Sequence, residues 1–238
     1  MGETSPGVIQ TPAIAIITPL RAGESVHPDL KAQIAELEKA GDPAFEWVIV
    51  SRGDRAASLN AGVDETTAPI LWFLHADSRI PPGCLTAIAT AVHANPRALY
   101  YFDLAFHQET AIGSLPMHLN AWGANLRSRY FGVPFGDQGL ACHRDLFADV
   151  GGFPSHARYG EDHLFVWYAR RLGYQVRPID LSISTSARGY VDHGWLRTTA
   201  LYQWRWLSQA AGQLMAMALK RPLAHSMRKR IKGENDSE

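Results

Sequence analysis

The sequence predicts an α/β protein with a mixed, mostly parallel central sheet flanked by helices. Three observations carry this reading. Through residue 95, short apolar runs rich in β-branched residues alternate with stretches of helical period. The runs are apolar at almost every position, as expected of strands covered on both faces. The first three end in polar or special residues, at 18–21, 51–54 and 75–78. Ligands of open α/β sheets bind at the carboxyl ends of the strands, so these ends mark one candidate site.

The elements follow in order. Residues 1–10 form a loose terminus, and "AIAIITPL" (13–20) is the first strand. A helix follows, with Pro28 in its first turn, Leu30, Ile34 and Leu37 on one face and Gly41 as its stop. "FEWVIVS" (45–51) is the second strand, "RAASLNAG" (55–62) a short helix and "PILWFLHA" (69–76) the third strand. "PPGCLTAIATAVHANP" sets Leu85, Ile88, Ala89 and Val92 on one helical face. "LYYFDLAF" (99–106) is a strand. Residues 107–135, rich in Gly, Pro and Asn, fit a long loop or short helices. "GLACHRDLFADVGGF" gives a short strand, a short helix and a glycine stop. "GEDHLFVWYARRLG" is a helix with Phe165, Tyr168, Ala169 and Leu172 on one face, "YQVRPID" a further strand, and 195–219 a final helix.

Bulk properties narrow the function. Lys+Arg and Asp+Glu both total 23 in 238 residues, so no global field draws the chain to nucleic acid. The two cysteines, Cys84 and Cys142, form no CxxC and no disulfide framework; they read as buried thiols in a reducing compartment. The first apolar run is short and lacks a basic flank, which suits a strand rather than a signal peptide, and no run of 18 apolar residues occurs. The expectation is a cytoplasmic protein.

Four constellations could carry chemistry. His75 and Asp77 stand at a strand end, where a carboxylate can hold Mg²⁺ or Mn²⁺ beside substrate phosphates; equally, Asp77 or Ser78 could cap a helix starting near Pro81. Glu161 and Asp162 open a helix, as a general base in a pocket or as complements to its dipole. Gly136, Asp137 and Gln138 lie in a glycine-flanked turn suited to close approach of a ligand, or to a turn alone. Arg188, His193 and Arg197 fall within ten residues, enough to clamp a diphosphate and cap a metal, or to line a solvated loop.

Their order is more informative than any one alone. "FLHADSRIPPG", then "GDQGLACHRDLFADVGGFP", then "GEDHLFVWYARRLG" resembles glycosyltransferase family 2, the GT-A fold, in the branch whose metal motif reads "LHAD" in place of Asp-x-Asp. The resemblance runs from about Ala13 to Arg197 and implies a GT-A-like catalytic unit over 1–194, followed by a segment over 195–238. It also implies transfer of a sugar from a UDP- or GDP-sugar to a hydroxyl acceptor, with a lipid-linked one among the candidates, with a divalent cation (Mn²⁺ or Mg²⁺) and inversion at the anomeric carbon. Thr18, Pro19 and Leu20 match the nucleotide-holding loop, and Arg55 and Asn60 the segment behind nucleotide and sugar. Asp77 matches the metal-holding Asp, with His75 where the ribose-side Asp stands. Asp162 matches the general base, with Glu161 beside it, and Gly136, Asp137 and Gln138 the acceptor-side loop. His193 stands where a late metal ligand arrives.

The chain departs from the family between "FEWVIVS" and "RAASLNAG", where a helix-strand unit is missing; that unit lies at a sheet edge in the family. Asp54 is the substitute for the displaced nucleobase-binding Asp. This departure motivates a rival reading, a catalytically weak or inactive sugar-nucleotide- or carbohydrate-binding relative. A nucleotidyltransferase is a third, disfavoured because "TPLRAGES" lacks a Gly-rich basic loop. In the final segment, Trp195, Tyr202, Trp204 and Trp206 precede Lys220, Arg221, Arg228, Lys229, Arg230 and Lys232. The helix either packs on the core or, with this basic run, lies at the inner face of a membrane; Arg197 and Arg205 argue against spanning.

Overall fold

A computed structural model describes residues 13–40, 43–107, 114–155, 157, 160–187, 190 and 194–219. Six strands form one sheet: β1 (Ile14–Pro19), β2 (Phe45–Val50), β3 (Ile70–Phe73), β4 (Ala98–Phe106), β5 (Ala141–His143) and β6 (Gln175–Thr185). Their order is β2-β1-β3-β5-β4-β6. β1 pairs parallel with β2 and β3, and β4 parallel with β6. β5 runs antiparallel between β3 and β4, so the other five strands point the same way. The expected sheet is present. β2 is its edge, and the next helix starts five residues after β2 ends, so the sheet stops where the extra helix-strand unit would have added to it.

The helices are α1 (Pro28–Ala40), α2 (Arg55–Asp64), α3 (Cys84–Ala94), α4 (Ser114–Phe131), α5 (Arg144–Val150), α6 (Glu161–Arg171) and α7 (Trp195–Ala218). Alternation along the strands sorts the core into two layers. Ile14, Ile16, Trp72, Tyr100 and Phe102 meet Leu30, Ile34, Leu85, Ile88 and Val92 of α1 and α3. Ala15, Ile17, Leu71, Phe73 and Tyr101 meet Leu59, Val63, Leu146, Phe147, Phe165 and Val166 of α2, α5 and α6. Cys84 and Cys142 are buried free thiols, and burial pushes the Cys142 thiol far up. Leu172, expected on the buried face of α6, is exposed because the helix ends there and the chain turns through Gly173.

Two local findings differ from expectation. α3 begins at Cys84, with Gly83 as an N-cap that offers no side chain, so neither Asp77 nor Ser78 caps it. And α4 is one continuous helix of 18 residues where a loop or short helices were expected. Its anchors are polar, and Pro116, Asn120, Gly123 and Asn125 read as loop although Leu115, Leu119, Trp122, Leu126 and Tyr130 recur at helical spacing. Asn125 accepts from Leu104 N–H (2.7 Å) and donates to Leu104 C=O (3.0 Å), extending the edge of β4 like a strand residue. Arg129 forks onto both oxygens of Asp103 (3.1 and 2.7 Å).

One buried side chain joins α4, β4 and the turn before β5. Gln138, wholly buried, accepts from Ser128 Oγ (2.7 Å) and Phe135 N–H (3.1 Å) and donates to Phe102 C=O (3.1 Å). Gln138→Leu would take this partner from the Phe135 N–H and the Phe102 C=O in the interior, while Ser128 Oγ keeps Ala124 C=O (2.8 Å). We expect a loss of about 2–4 kcal/mol in stability, read as a lower urea midpoint at unchanged slope.

Candidate active site

The carboxyl ends of β3, β4 and β6 open into a cleft of about 520 Å³. Because β5 is antiparallel, it begins beside the end of β3: Phe73 N–H donates to Leu140 C=O (2.8 Å), and Trp72 faces Ala141. That brings the 3₁₀ turn Gly136–Gln138 next to His75 and Asp77. α6 points its first turn at the same place, and α4 and α7 close the far side.

Arg55, at the start of α2, is the hub. It donates from Nη2 to His75 Nε2, and its Nε lies 3.2 Å from Glu161 Oε1. An arginine can only donate, so His75 Nε2 is the unprotonated nitrogen and Nδ1 carries the hydrogen. Removal from water, with Arg55 and then Arg21 nearby, lowers the His75 pKa to about 3, against the pull of Asp162. His75 is thus a neutral imidazole whose lone pair is spent on Arg55. It has no nitrogen left for a metal, but its Nδ1–H remains a donor.

Asp162 is the best-supported carboxylate. Its Oδ2 accepts from Gly136 N–H, and its Oδ1 from His163 N–H (2.8 Å). Burial pushes its pKa up, but Arg55, these two N–H groups and His75 outweigh burial and hold it below the usual range. A carboxyl with a lowered folded pKa contributes stability present above its unfolded pKa and lost as pH falls through the folded one. Asp162 is therefore a carboxylate at neutral pH and able to take a proton. Burial, then Asp162, pushes Glu161 the other way, against Arg55. Glu161 turns to Arg55 and does not line the cleft.

The remaining expected residues divide sharply. Asp77 and Asp137 line the cleft with Arg55, His75 and Asp162. Thr18 is wholly buried and accepts from Trp47 Nε1 (3.0 Å). Leu20 packs on the core, while Pro19 reaches a small hollow shared with Arg55, His75 and Asp162. Asp54 caps α2 by accepting from Ala57 N–H (2.7 Å). Asn60 spans both backbone groups of Phe153 (2.8 Å each) and faces inward, as does Gln138. Arg197 is exposed on α7 and does not line the cleft. Arg188 and His193 lie outside the described residues.

Sequence reasoning missed the wall opposite Asp162. Arg127 of α4 is nine-tenths buried, donates from Nε to Val133 C=O (3.1 Å) and stacks 3.6 Å over the Phe135 ring. Burial lowers its pKa to about 10, against the pull of Asp137 and Asp162. Its Nη2 is buried without a hydrogen-bond partner, and so is Asp137 Oδ1. Burial, then Asp162 and Asp77, raises Asp137 to about 6, opposed by Arg127 and Arg55. An unpaired donor and an unpaired acceptor thus border one cleft. Buried polar groups are rarely left so, and the pair suits a polar ligand. Only placement of α4 across the cleft could have found Arg127, which belongs to no motif.

α7 completes the wall. His163 Nε2 accepts from Trp167 Nε1 (3.0 Å), which leaves Nδ1–H to donate to Gln209 Oε1 (2.7 Å). A Cβ at Gly160 would lie 2.6 Å from that same oxygen, so α7 closes tightly on the start of α6. Trp206 and Ala210 pack on Trp167 and Val133.

The donors decide what cation could bind. Among the described residues, no three His, Cys, Asp or Glu side chains form a metal cluster. Asp77 and Asp137 present hard oxygens to the cleft, and His75 adds none of its own. This set does not build an all-protein cage. It fits Mg²⁺ or Mn²⁺ that shares its shell with substrate phosphates and water.

Gly136 touches the central carboxylate most closely: a Cβ there would lie 2.5 Å from Asp162 Oδ2 and 2.9 Å from Arg55 Nη2. Gly136→Ala must displace one of them. We expect any activity of the site to fall by more than about tenfold, as for misplacement of a reacting group. The urea midpoint should move less than with Gln138→Leu.

The family model for glycosyl transferase family 2 matches residues 25–148. None of the curated protein sequences is a significant match. Among solved structures, the chain is similar to the mannosyltransferase PcManGT from Pyrobaculum calidifontis in complex with GDP-Man and Mn²⁺, at 18% identity over 94% of this chain and 68% of that one (TM-score 0.49). It is also similar to the catalytic domain of Drosophila beta1,4galactosyltransferase 7 with xylobiose, at 16% identity over 70% of this chain (TM-score 0.44). The match spans 64% of the galactosyltransferase chain.

Proposed function

The chain belongs to glycosyl transferase family 2 and has its GT-A fold, and from that premise we propose that it transfers a sugar from a nucleotide-diphosphate donor to a hydroxyl acceptor, with inversion. The observation that carries this reading is the convergence of Asp77, Asp162 and the Arg55–His75 pair on one cleft at the strand ends. The donor lies with its diphosphate toward Asp77 and its nucleoside toward the end of β1. UDP- and GDP-sugars are the donors to test first.

A divalent cation, Mn²⁺ or Mg²⁺, held by Asp77 with the donor's phosphates, and by His193 on the family resemblance, would neutralise charge on the departing diphosphate. The bond from the anomeric carbon to the diphosphate oxygen breaks as the acceptor oxygen bonds to the opposite face. The acceptor proton passes to Asp162. Arg55 keeps Asp162 ionised, and His75 and Glu161 keep Arg55 in place. Arg127 Nη2 and Asp137 Oδ1 offer a donor and an acceptor to hydroxyls of the incoming substrate. α4 and α7 wall that side of the cleft.

Thermal shift against UDP-, GDP- and dTDP-sugars, each with and without Mn²⁺, tests the reading. The expected result is a rise in melting temperature with one nucleotide class, larger when Mn²⁺ is present. The absence of any nucleotide response with Mn²⁺ would contradict it.

A further inference from the structure

Apart from Ile49, Leu172 and Leu219, every exposed large apolar side chain among the described residues lies on α4 or α7. On α4, Leu115, Leu119, Trp122, Leu126 and Tyr130 are spaced four, three, four and four apart, one unbroken helical stripe. Trp122 is 64% exposed and Tyr130 78%. On α7, Leu196, Leu201, Trp204, Leu207, Leu214 and Met215 are exposed, Trp204 to 71%. The helices touch: Asn120 donates to Thr199 Oγ1 (3.3 Å), and Phe131 and Trp206 lie 6.4 Å apart. Clustered apolar exposure on this scale marks a surface meant to be covered.

The charge pattern identifies what covers it. Neither helix contains an Asp or Glu; Arg127 is buried against the cleft and Arg129 is paired with Asp103, which leaves Arg197, exposed, and Arg205 as the basic residues α7 adds. The sequence then continues with Lys220, Arg221, Arg228, Lys229, Arg230 and Lys232, outside the described residues. A second copy docked on this face would set α7 and the basic run behind it against their own like charge, with no Asp or Glu on either helix to answer it. A surface that is apolar in depth and anionic at its boundary satisfies both features. The exposed Trp122, Tyr130 and Trp204 suit the level of lipid headgroups. No helix among the described residues is long and apolar enough to cross a membrane, so this face would lie in the interface.

We propose that α4 and α7 together form a docking face for an anionic lipid surface. The same two helices rim the cleft through Leu119, Asn120, Thr199, Gln203 and Trp206. The docked protein therefore holds the cleft mouth against the headgroup layer. A lipid-linked acceptor could enter it without leaving the membrane, a consequence that rests on the transferase reading, whereas the docking does not.

Flotation of the full chain with vesicles tests this. Vesicles of phosphatidylcholine alone are compared with vesicles that also contain phosphatidylglycerol, at low salt. Binding to the anionic vesicles is expected to exceed binding to the neutral ones by roughly tenfold and to weaken as salt is added. Trp122→Ser with Trp204→Ser, both at exposed positions outside the cleft lining, should abolish most of that binding while leaving the melting temperature and any nucleotide response unchanged. Sedimentation velocity without lipid should give a monomer. The proposal is overturned by failure to bind anionic vesicles, by binding that the double variant leaves intact, or by a dimer that the double variant dissociates.

Discussion

Asp162→Asn should reduce transfer by about 10²–10⁴-fold while leaving donor binding intact. The substitution keeps the shape of the side chain. It also keeps an oxygen for the Gly136 N–H, the contact that sets its position. What it removes is the negative charge, the oxygen that accepts from His163 N–H and, above all, the capacity to accept a proton. The loss should appear in kcat, with the KM for donor nearly unchanged, since Asp162 is assigned to the acceptor hydroxyl and not to the diphosphate. Glu161→Gln should cost far less in turnover, because Glu161 reaches Arg55 and not the cleft. A reversal of that ranking would mean the wrong member of the acidic pair has been assigned as base.

Arg55→Met is the second large effect, and it separates positioning from chemistry. Arg55 holds His75, pairs with Glu161 and lowers the pKa of Asp162. Without it, burial of Asp162 is opposed only by two backbone N–H groups and His75, so the pKa rises. A base must be ionised to act, so the acidic limb of the kcat/KM profile should move to higher pH. Activity lost at low pH should recover in part as pH is raised. Breaking a buried pair costs about 3–5 kcal/mol, but a third of the Arg55 side chain is in water, so about 2 kcal/mol is the expected loss of stability. An unmoved pH profile would show that Arg55 does not tune Asp162.

What could be read from the sequence follows from how each element is stabilised. The strands and α1, α2, α3 and α6 are held by apolar faces, and apolar spacing is visible in sequence. α4 is held by Asn125, Arg129 and Ser128, and most of its large apolar residues point outward; their helical spacing was outweighed by Pro116, Asn120, Gly123 and Asn125, which read as loop. The site was legible where motif residues converge, at Arg55, His75, Asp77, Asp137 and Asp162. It was not legible where a motif residue serves the backbone: Thr18, Asn60 and Gln138 spend their polar atoms on Trp47, Phe153 and the α4–β4 junction. Arg127 belongs to no motif and becomes visible only once α4 is placed across from α6.

His75 shows how geometry sharpens a motif. At a strand end two residues before Asp77, it could have been a ligand, a donor or a relic. Its bond from Arg55 spends the free lone pair and leaves Nδ1–H, which makes it a neutral donor that also steadies the guanidinium beside the base.

The central claim is that this cleft breaks the bond between a sugar and a nucleoside diphosphate. It is tested most directly by chromatographic detection of free nucleoside diphosphate from UDP-, GDP- and dTDP-sugars, with water as the default acceptor. The wild-type chain, Asp77→Asn and Asp162→Asn are compared, each with Mn²⁺ and with EDTA. The expected result is release from one nucleotide class by the wild type, lost with EDTA and in both variants. Tight binding of a donor with no release, or release that survives Asp77→Asn, would contradict the account; binding without release would instead make the chain a sugar-nucleotide-binding relative.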